Sequence, residues 1–435
     1  MKQSLMIVLL CILCMMLTAC NQETIPETVE NSVVAVTEET MEPTDAPTEP
    51  ATVPTTEPPL EVPTEPPAEQ ITEGYQILID GYDNSRNLLD GDFRSKITVR
   101  SNQVLSLESA TAFANIYIEW DEIPGAYSVI WDTGEVDCGQ NGFLHEYIRL
   151  PEAVTRVEIA FSTEEAHVLC EVDLFTAGGD PVDVQIWQPP CESADILVFP
   201  THSDDDVLFF GPLMAYYAIE RELTIQTAFM VEHHGYPERN HERLNGLWEM
   251  GIRHYPILGT APDTPTYDMT AAMYHYASSN IEQWQVEQIR RFKPLVVVGH
   301  DLDGEYGNGG HKVNAYYLVQ AIESAAAPDR FPESAQQYDI WETPKFYIHL
   351  YAENEIVFDV NTPLEKDASG RTPFEIAVDA FKCHRSQHST GFRVRQEGYR
   401  GYDCRPFGLY RSLVGMDTTA DIMENLDPER WRNTK

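Results

Sequence analysis

Short segments in which apolar and polar residues alternate fill the chain between residues 74 and 189. Turn signals separate these segments, and no good amphipathic helix lies between them. Because successive side chains of a strand point to opposite faces of a sheet, this period of two predicts an antiparallel β-sandwich. The clearest segments are Tyr75–Asp80, Ser95–Arg100, Ala114–Trp120, Ala126–Trp131, Thr155–Phe161 and Ala166–Val172.

Beyond residue 190 the pattern changes to apolar runs that alternate with helical stretches. Such alternation predicts an α/β fold over residues 190–435, with a mostly parallel, Rossmann-like sheet and helices on both of its faces. The apolar runs are Ile196–Phe199, Leu223–Val231, Pro294–Gly299 and Lys345–Leu350, and the helical stretches lie around residues 207–220, 240–250, 281–292 and 313–325.

A targeting segment precedes both regions. Lys2 is followed by an apolar run that is too short to span a bilayer comfortably. Leu17-Thr-Ala-Cys20 resembles a bacterial lipobox, which implies a signal peptide over residues 1–19 and a lipid on Cys20. We therefore expect the protein on the extracytoplasmic face of a bacterial membrane. An uncleaved anchor, or an ordinary signal peptide with a chance cysteine, is the alternative.

Residues 20–73 differ in composition from everything that follows. They are rich in Pro, Thr and Glu, and they contain no lysine or arginine. Frequent prolines prevent helix and sheet formation, and like charges repel each other. We expect a disordered tether that holds the folded regions away from the membrane.

Charge and cysteine content narrow the possible partners. The chain has 29 basic and 70 acidic residues, a formal net charge of -41, which argues against nucleic acid as a partner. Beyond the predicted signal peptide, five cysteines remain besides Cys20, which is an odd number, and none has the spacing of a structural zinc site. Cys383 and Cys404 could form one bridge, or all five could be separate thiols. We expect a monomer.

Polar clusters follow two of the predicted strands. The first is Thr201-His-Ser-Asp-Asp-Asp206, and the second is the glycine-rich Gly299–His311. Ligand sites of open α/β sheets lie at the carboxyl ends of strands, so the two clusters can converge on one pocket. Histidines and carboxylates in one pocket indicate a metal centre.

Four ordered motifs resemble the LmbE-like, or PIG-L, family of metal-dependent N-acetylglucosaminide deacetylases. The first cluster is similar to Ala-His-Pro-Asp-Asp-Glu, and Gly304-Glu-Tyr-Gly-Asn-Gly-Gly-His311 is similar to Gly-Glu-Tyr-Gly-His-Pro-Asp-His. Between them, Arg239, Glu242 and Gly251 fit a conserved helix of that family, with Gly246 where alanine is usual. A later His384-Arg-Ser-Gln387 resembles its His-x-Ser-Gln element.

This resemblance implies a function and assigns roles to residues. It implies a hydrolase that removes the acetyl group from an N-acetylated amino sugar of an extracytoplasmic glycan, with zinc or another divalent metal as cofactor. The implied metal ligands are His202, Asp205 and His311, the catalytic residues are Asp204 as general base, Tyr306 and Asn308, and the substrate-binding residues are Arg239, His300 and His384.

Asn308 departs from the family pattern. It occupies a position where the family has histidine, and an asparagine cannot deliver a proton at neutral pH. Proton delivery to the leaving group then falls to Asp204 or to a histidine such as His300. One alternative is a catalytically degenerate, glycan-binding surface lipoprotein. A second is a solute-capturing lipoprotein of a transporter, which the two-region plan fits poorly.

Simpler readings compete with these site assignments. The aspartate triplet could cap the following helix, since aspartates are favoured at helix starts. Asp301, Asp303 and Glu305 suggest a calcium loop but lack the full ligand set of an EF-hand. Arg239 and Glu242 could be a surface pair three residues apart on a helix. His384 and Gln387 could be a structural polar pair, and His233 a loop residue near the pocket rim.

The strand pattern of residues 74–189, together with Leu88-Leu-Asp-Gly-Asp92, loosely resembles discoidin-like, carbohydrate-binding jelly rolls. This resemblance implies a sugar-binding role. A purely structural or spacer role is the alternative, and no site residue can be transferred.

Overall fold

The computed structural model describes residues 65–182, 184–233, 235–397, 402–428 and 431. The predicted signal peptide, Cys20 and most of the predicted tether lie outside these residues. Residues 63–435 form one compact unit. No helix of the described residues is both long enough and apolar enough to cross a membrane.

The first sheet contains eight strands, and all of its pairings within the described chain are antiparallel. All six strands that the alternating pattern predicts are present, and two short strands were missed. The strands are β1 (Tyr75–Ile79), β2 (Tyr82–Asp83), β3 (Ile97–Val99), β4 (Leu105–Trp120), β5 (Tyr127–Trp131), β6 (Gly134–Cys138), β7 (His145–Phe161) and β8 (His167–Phe175).

Two long strands organise this sheet. β4 pairs with β7 on one side, whereas on its other side its first half pairs with β1 and its second half with β8. Register shifts between Glu108 and Asn115 interrupt the ladder where β4 changes partner. Such irregularities bend a strand, which lets the two halves of the sheet enclose apolar side chains such as Ile118 and Trp120.

The predicted tether ends earlier than its composition indicates. Ala68 and Ile71 are buried, and their backbone N–H groups donate to the carbonyls of Gly179 and Leu174. Residues 65–73 therefore pack along β8 as part of the folded unit. Their average composition is polar, but two apolar side chains and the backbone hydrogen bonds are sufficient to order them.

The second sheet contains seven strands in the order β11-β10-β9-β12-β13-β15-β14. The five strands from β11 to β13 are parallel, and β15 is antiparallel to both of its neighbours. All four predicted apolar runs are strands of this sheet. The strands are β9 (Ile196–Val198), β10 (Ile225–Glu232), β11 (Ile257–Pro262), β12 (Val296–Gly299), β13 (Lys345–His349), β14 (Glu355–Val357) and β15 (Pro406–Ser412).

Eight α-helices accompany the second sheet in the described part of the chain. α3 packs against α8, and α5 packs against α6. The helices are α1 (Asp205–Leu208), α2 (Gly211–Ala215), α3 (Glu238–Glu249), α4 (Met269–His275), α5 (Ile281–Phe292), α6 (Gly309–Ala326), α7 (Pro332–Tyr338) and α8 (Pro373–Cys383). The single helix predicted around residues 207–220 is divided, because Gly211 and Pro212 start a new helix after α1.

The two sheets share one continuous apolar core. Phe143 of the first region stacks on Tyr255 at a ring-centroid distance of 4.6 Å, and the backbone N–H of Leu144 donates to the Tyr255 hydroxyl. Cys383 and Cys404 are both free thiols, so no bridge joins them.

Candidate metal centre

The carboxyl ends of β9 and β12 bring the two polar clusters together. These strands are parallel neighbours, with Val198 opposite Val298. The chain leaves β9 into the loop that carries His202 and then enters α1 at Asp205. It leaves β12 through a glycine-rich loop and enters α6, whose third residue is His311. Strand adjacency thus places residues 109 positions apart within contact distance.

His202, Asp205 and His311 point at one another. His202 Nδ1 lies 3.2 Å from Asp205 Oδ2 and 3.1 Å from His311 Nε2, and the last two atoms are 3.1 Å apart. Ligand atoms of a tetrahedral zinc ion lie about 3.3 Å from each other. All three residues are buried, and His202 is the most accessible at 8% exposure. The donor atoms and spacing of the triad fit a divalent ion.

Glu305 forms a second layer beneath this triad. Its fully buried carboxylate lies 3.2 Å from His311 Nδ1, 2.7 Å from His300 Nδ1 and 2.9 Å from His349 Nδ1. Burial alone would raise the pKa of Glu305, but the neighbouring His300 and the hydrogen bonds lower it well below its ordinary value. A charged Glu305 orients His311 so that its Nε2 faces the triad.

His300 lies inside the site rather than on its surface. Its Nε2 accepts a hydrogen bond from the backbone N–H of Thr201 at 3.0 Å, so its proton is on Nδ1 and is donated to Glu305. Burial lowers the pKa of His300, in keeping with this neutral form. Only 1% of His300 is exposed, and both of its ring nitrogens are engaged.

Asp204 lies beside the triad and is paired with Arg239. Asp204 Oδ1 accepts a hydrogen bond from Arg239 Nη2 at 2.8 Å. Burial raises the pKa of Asp204 to about 6, although Arg239 opposes this shift. A carboxylate with such a pKa is ionised at neutral pH and still basic enough to accept a proton.

Asp206 and Arg243 are neighbours in the structure and lie close to Asp204. Both are buried, and Arg243 Nη1 donates to Ser203 Oγ at 2.9 Å. Burial and the nearby Asp204 raise the pKa of Asp206 well above its ordinary value. The Asp206 carboxylate is not among the ligand atoms that converge at the triad.

Tyr306 and Asn308 border the triad on the α6 side. Tyr306 has a left-handed backbone, and its ring packs edge-on against His311 at 5.3 Å. The side-chain carbonyl of Asn308 caps α6 by accepting the backbone N–H groups of Gly310 and His311, at 2.7 and 3.3 Å. Asn308 thus fixes the helix end that carries His311.

The interpretation of Arg239 and Glu242 as a surface pair is wrong. Glu242 accepts hydrogen bonds from the backbone N–H and the hydroxyl of Ser386, both at 2.6 Å.

His384 packs behind the site. It is fully buried against Gly246, where an added Cβ would lie 2.8 Å from Nε2. Burial lowers the pKa of His384 to about 3, so this side chain is neutral.

Three residues of the site have no role assigned from the sequence, because each comes from an element whose position local patterns do not fix. Asp263 follows β11 and lies 3.3 Å from Arg239 Nη1. Burial would raise its pKa, but the hydrogen bond with His233 and the charge of Arg239 lower it to about 2. His233 is buried, and its Nε2 accepts the Ser203 N–H at 3.2 Å, so the rim position expected for it is wrong. His349 ends β13, and a histidine at a strand end was the one available signal.

No family model matches the chain. The curated 1D-myo-inositol 2-acetamido-2-deoxy-alpha-D-glucopyranoside deacetylase 1 of Catenulispora acidiphila is 25% identical over 217 residues, which cover 44% of this chain and 65% of that protein. The protein of the same name from Frankia casuarinae is 23% identical over 42% of this chain and 67% of its own length.

A solved structure is also similar to this chain. It is the N,N'-diacetylchitobiose deacetylase of Pyrococcus horikoshii, with a TM-score of 0.35 and 14% identity over 46% of this chain and 73% of that chain. These relatives are deacetylases by name, and the similarity covers less than half of this chain.

Proposed function

We propose that this protein is a metal-dependent hydrolase that removes the acetyl group from an N-acetylated amino sugar. The observation that carries the proposal is the buried triad of His202, Asp205 and His311 with the carboxylate of Asp204 beside it. The curated relatives, whose names describe deacetylation of a 2-acetamido-2-deoxy sugar, support the substrate class.

Zinc is the proposed ion, since two imidazoles and one carboxylate are typical of catalytic zinc sites. When bound, it would polarise the amide carbonyl and favour deprotonation of a nearby water. Asp204 accepts the proton of the attacking water, whose oxygen bonds to the carbonyl carbon. The C–N bond then breaks, and the same proton passes from Asp204 to the amine. Acetate and a free amino sugar leave.

Asn308 and Tyr306 have complementary parts in this proposal. Asn308 holds the start of α6 and leaves proton transfer to Asp204, because an amide can donate a hydrogen bond but cannot give up a proton at neutral pH. Tyr306 keeps its hydroxyl proton, since burial raises its pKa far above the ordinary value, and that proton can be donated to the carbonyl oxygen.

The predicted targeting segment is the basis for proposing where the protein acts and on which kind of glycan. We propose that the chain is held through a lipid on Cys20 at the outer face of a bacterial membrane and acts on an extracytoplasmic glycan. We also propose that the seven-stranded sheet is Rossmann-like and that the antiparallel sheet is a carbohydrate-binding β-sandwich, which would keep the enzyme close to a polymer.

The test measures acetate release from N-acetylglucosamine oligomers by the purified full chain in zinc-containing buffer. We expect the wild type to release acetate. The rate of acetate release should be at least about 100-fold lower in Asp204→Asn, and this variant should still bind its metal. Asp303→Asn, an exposed aspartate on the β12–α6 loop, is the matched control and should leave the rate unchanged.

Two results would overturn the proposal. One is full activity of Asp204→Asn. The other is oligomer binding without any acetate release in the wild type, which would favour the degenerate glycan-binding lipoprotein.

A further inference from the structure

A second group of possible metal ligands lies between the antiparallel sheet and α3. Glu119 is near the end of β4, His145 starts β7 and His241 lies on α3. Both histidines are completely buried, and Glu119 is partly exposed. These residues are separate from the triad of His202 and take no part in the proposed hydrolysis.

The three ligand atoms surround a common point. His145 Nε2 lies 2.8 Å from His241 Nδ1, and Glu119 Oε2 lies 3.8 Å from the first and 3.9 Å from the second. The point equidistant from all three atoms is about 2.1 Å from each, which is the length of a zinc–nitrogen or zinc–oxygen bond. The carboxylate is therefore as close to one imidazole as to the other.

Surrounding groups orient His145 as a metal ligand. Its Nδ1 lies 2.9 Å from Gln185 Oε1, and that oxygen also accepts a hydrogen bond from Trp187 Nε1 at 3.0 Å. Gln185 Oε1 is thus an acceptor, so His145 carries its proton on Nδ1 and directs the Nε2 lone pair at Glu119 and His241. A ligating histidine normally donates its other ring nitrogen in this way.

Glu119 differs from Asp121, the other carboxylate near His241, in its ion pairing and its exposure to solvent. On the opposite side of His241, Asp121 is already neutralised by Lys96, whose Nζ lies 2.8 Å from both carboxylate oxygens. Glu119 instead lines two clefts, of about 480 and 530 Å³, so its carboxylate borders space that solvent can enter. Phe93 stacks on His241 at 4.9 Å and shields the imidazole.

We propose that Glu119, His145 and His241 form a second divalent-metal site, of the zinc class, that fastens the antiparallel sheet to α3. α3 also carries Arg239 and Arg243, which contact Asp204 and Ser203. An ion here would fix the position of these two arginines relative to the first sheet. The competing explanation is a direct hydrogen bond between the two imidazoles, which their 2.8 Å separation also allows.

The test counts zinc in the purified full chain after equilibration with zinc and removal of the excess. We expect about two ions per wild-type chain and about one ion in each of His145→Gln, Glu119→Gln and His202→Ala. Glu119→Gln removes one carboxylate from a partly exposed position, so it keeps the test valid if His145→Gln fails to fold. His167→Gln alters a buried histidine of the same sheet and should keep two ions.

Thermal unfolding supplies a second measurement. In His202→Ala, which retains only the second site, zinc should raise the midpoint, and Glu119→Gln in that background should abolish this rise. One zinc per wild-type chain that is lost in His202→Ala and unchanged in Glu119→Gln would overturn the proposal and leave the imidazole hydrogen bond. Failure of acetate release would not affect it, because the proposal does not rest on the catalytic function.

Discussion

Three consecutive aspartates have three different acidities. All of Asp204, Asp205 and Asp206 are buried, and burial raises the pKa of each. At Asp205 the adjacent His311 and His202 outweigh burial, and the pKa falls well below the ordinary value. Asp204 has a pKa of about 6, and that of Asp206 is well above the ordinary value. Position alone therefore gives three identical side chains different acidities.

At the residue scale, Glu305→Gln tests the layer beneath the triad. An amide cannot accept from His300, His311 and His349 together, so His311 would lose its fixed orientation. We expect metal affinity to fall by about 10-fold to 100-fold, measured by competition with a chelator. Asp303→Asn on the same loop is the control. Unchanged affinity in Glu305→Gln would contradict the orienting role.

Glu171 predicts a pH dependence of stability. Burial and a hydrogen bond with Asp90 raise its pKa from 4.5 to about 8. Between these values the unfolded chain releases the proton while the folded chain retains it, so stability falls as pH rises. From pH 5 to pH 8 the free energy of unfolding should fall by about 3 kcal/mol through this group.

Glu171→Gln removes this contribution and keeps a side chain that can donate to Asp90. Urea unfolding at pH 5 and pH 8 should show that the variant gains stability relative to the wild type at the higher pH. Glu165→Gln, an exposed neighbour, should follow the wild type at both values. An equal difference between Glu171→Gln and the wild type at both pH values would exclude the shift.

At the element scale, α6 depends on the cap that Asn308 provides. Asn308→Ala leaves the Gly310 and His311 N–H groups unsatisfied, and loss of such a cap costs about 1 kcal/mol. Asn308→Ser restores a capping oxygen without an amide. We expect acetate release to fall in the alanine variant and to recover largely in the serine variant. Equal loss in both would indicate that the amide itself takes part in the reaction.

Whole-molecule stability depends on a buried ion pair that holds the C-terminal segment to the second sheet. Lys345 of β13 is fully buried, pairs with Asp417 and donates to the carbonyl of Ile422 at 3.1 Å. Lys345→Met leaves a buried carboxylate uncompensated, which should cost about 3 to 5 kcal/mol in chemical unfolding.

A double variant and a control variant test whether the cost comes from the uncompensated buried charge. Asp417→Asn combined with Lys345→Met should regain part of the loss, since no buried charge remains. Lys293→Met, which removes a partly exposed lysine 3.9 Å from the exposed Asp339, should cost less than about 1 kcal/mol. A similar small cost for Lys345→Met would show that the pair does not stabilise the fold.

The sequence by itself determined ten of the strands, three of the longer helices and the two polar clusters. The period-two segments and apolar runs are local signals, because each strand alternates or buries its own side chains, and all ten predicted strands are present. The elements missed were β2, β6, β11, β14, β15, α4, α7 and α8, as was the division between α1 and α2. The missed strands depend on pairing with partners elsewhere in the chain more than on a local pattern.

The sequence predicted that the two polar clusters converge, but only the tertiary structure decided which further residues meet them. The pairing of β9 with β12 brings His202 and His311 together, and His349 and Asp263 join them from elements that local patterns do not connect. The same holds for His145 and His241, which lie 96 positions apart. The pattern of apolar and polar residues depends on one element at a time, whereas a site is formed by residues from several elements. The packing of the whole chain determines which of these residues lie close together.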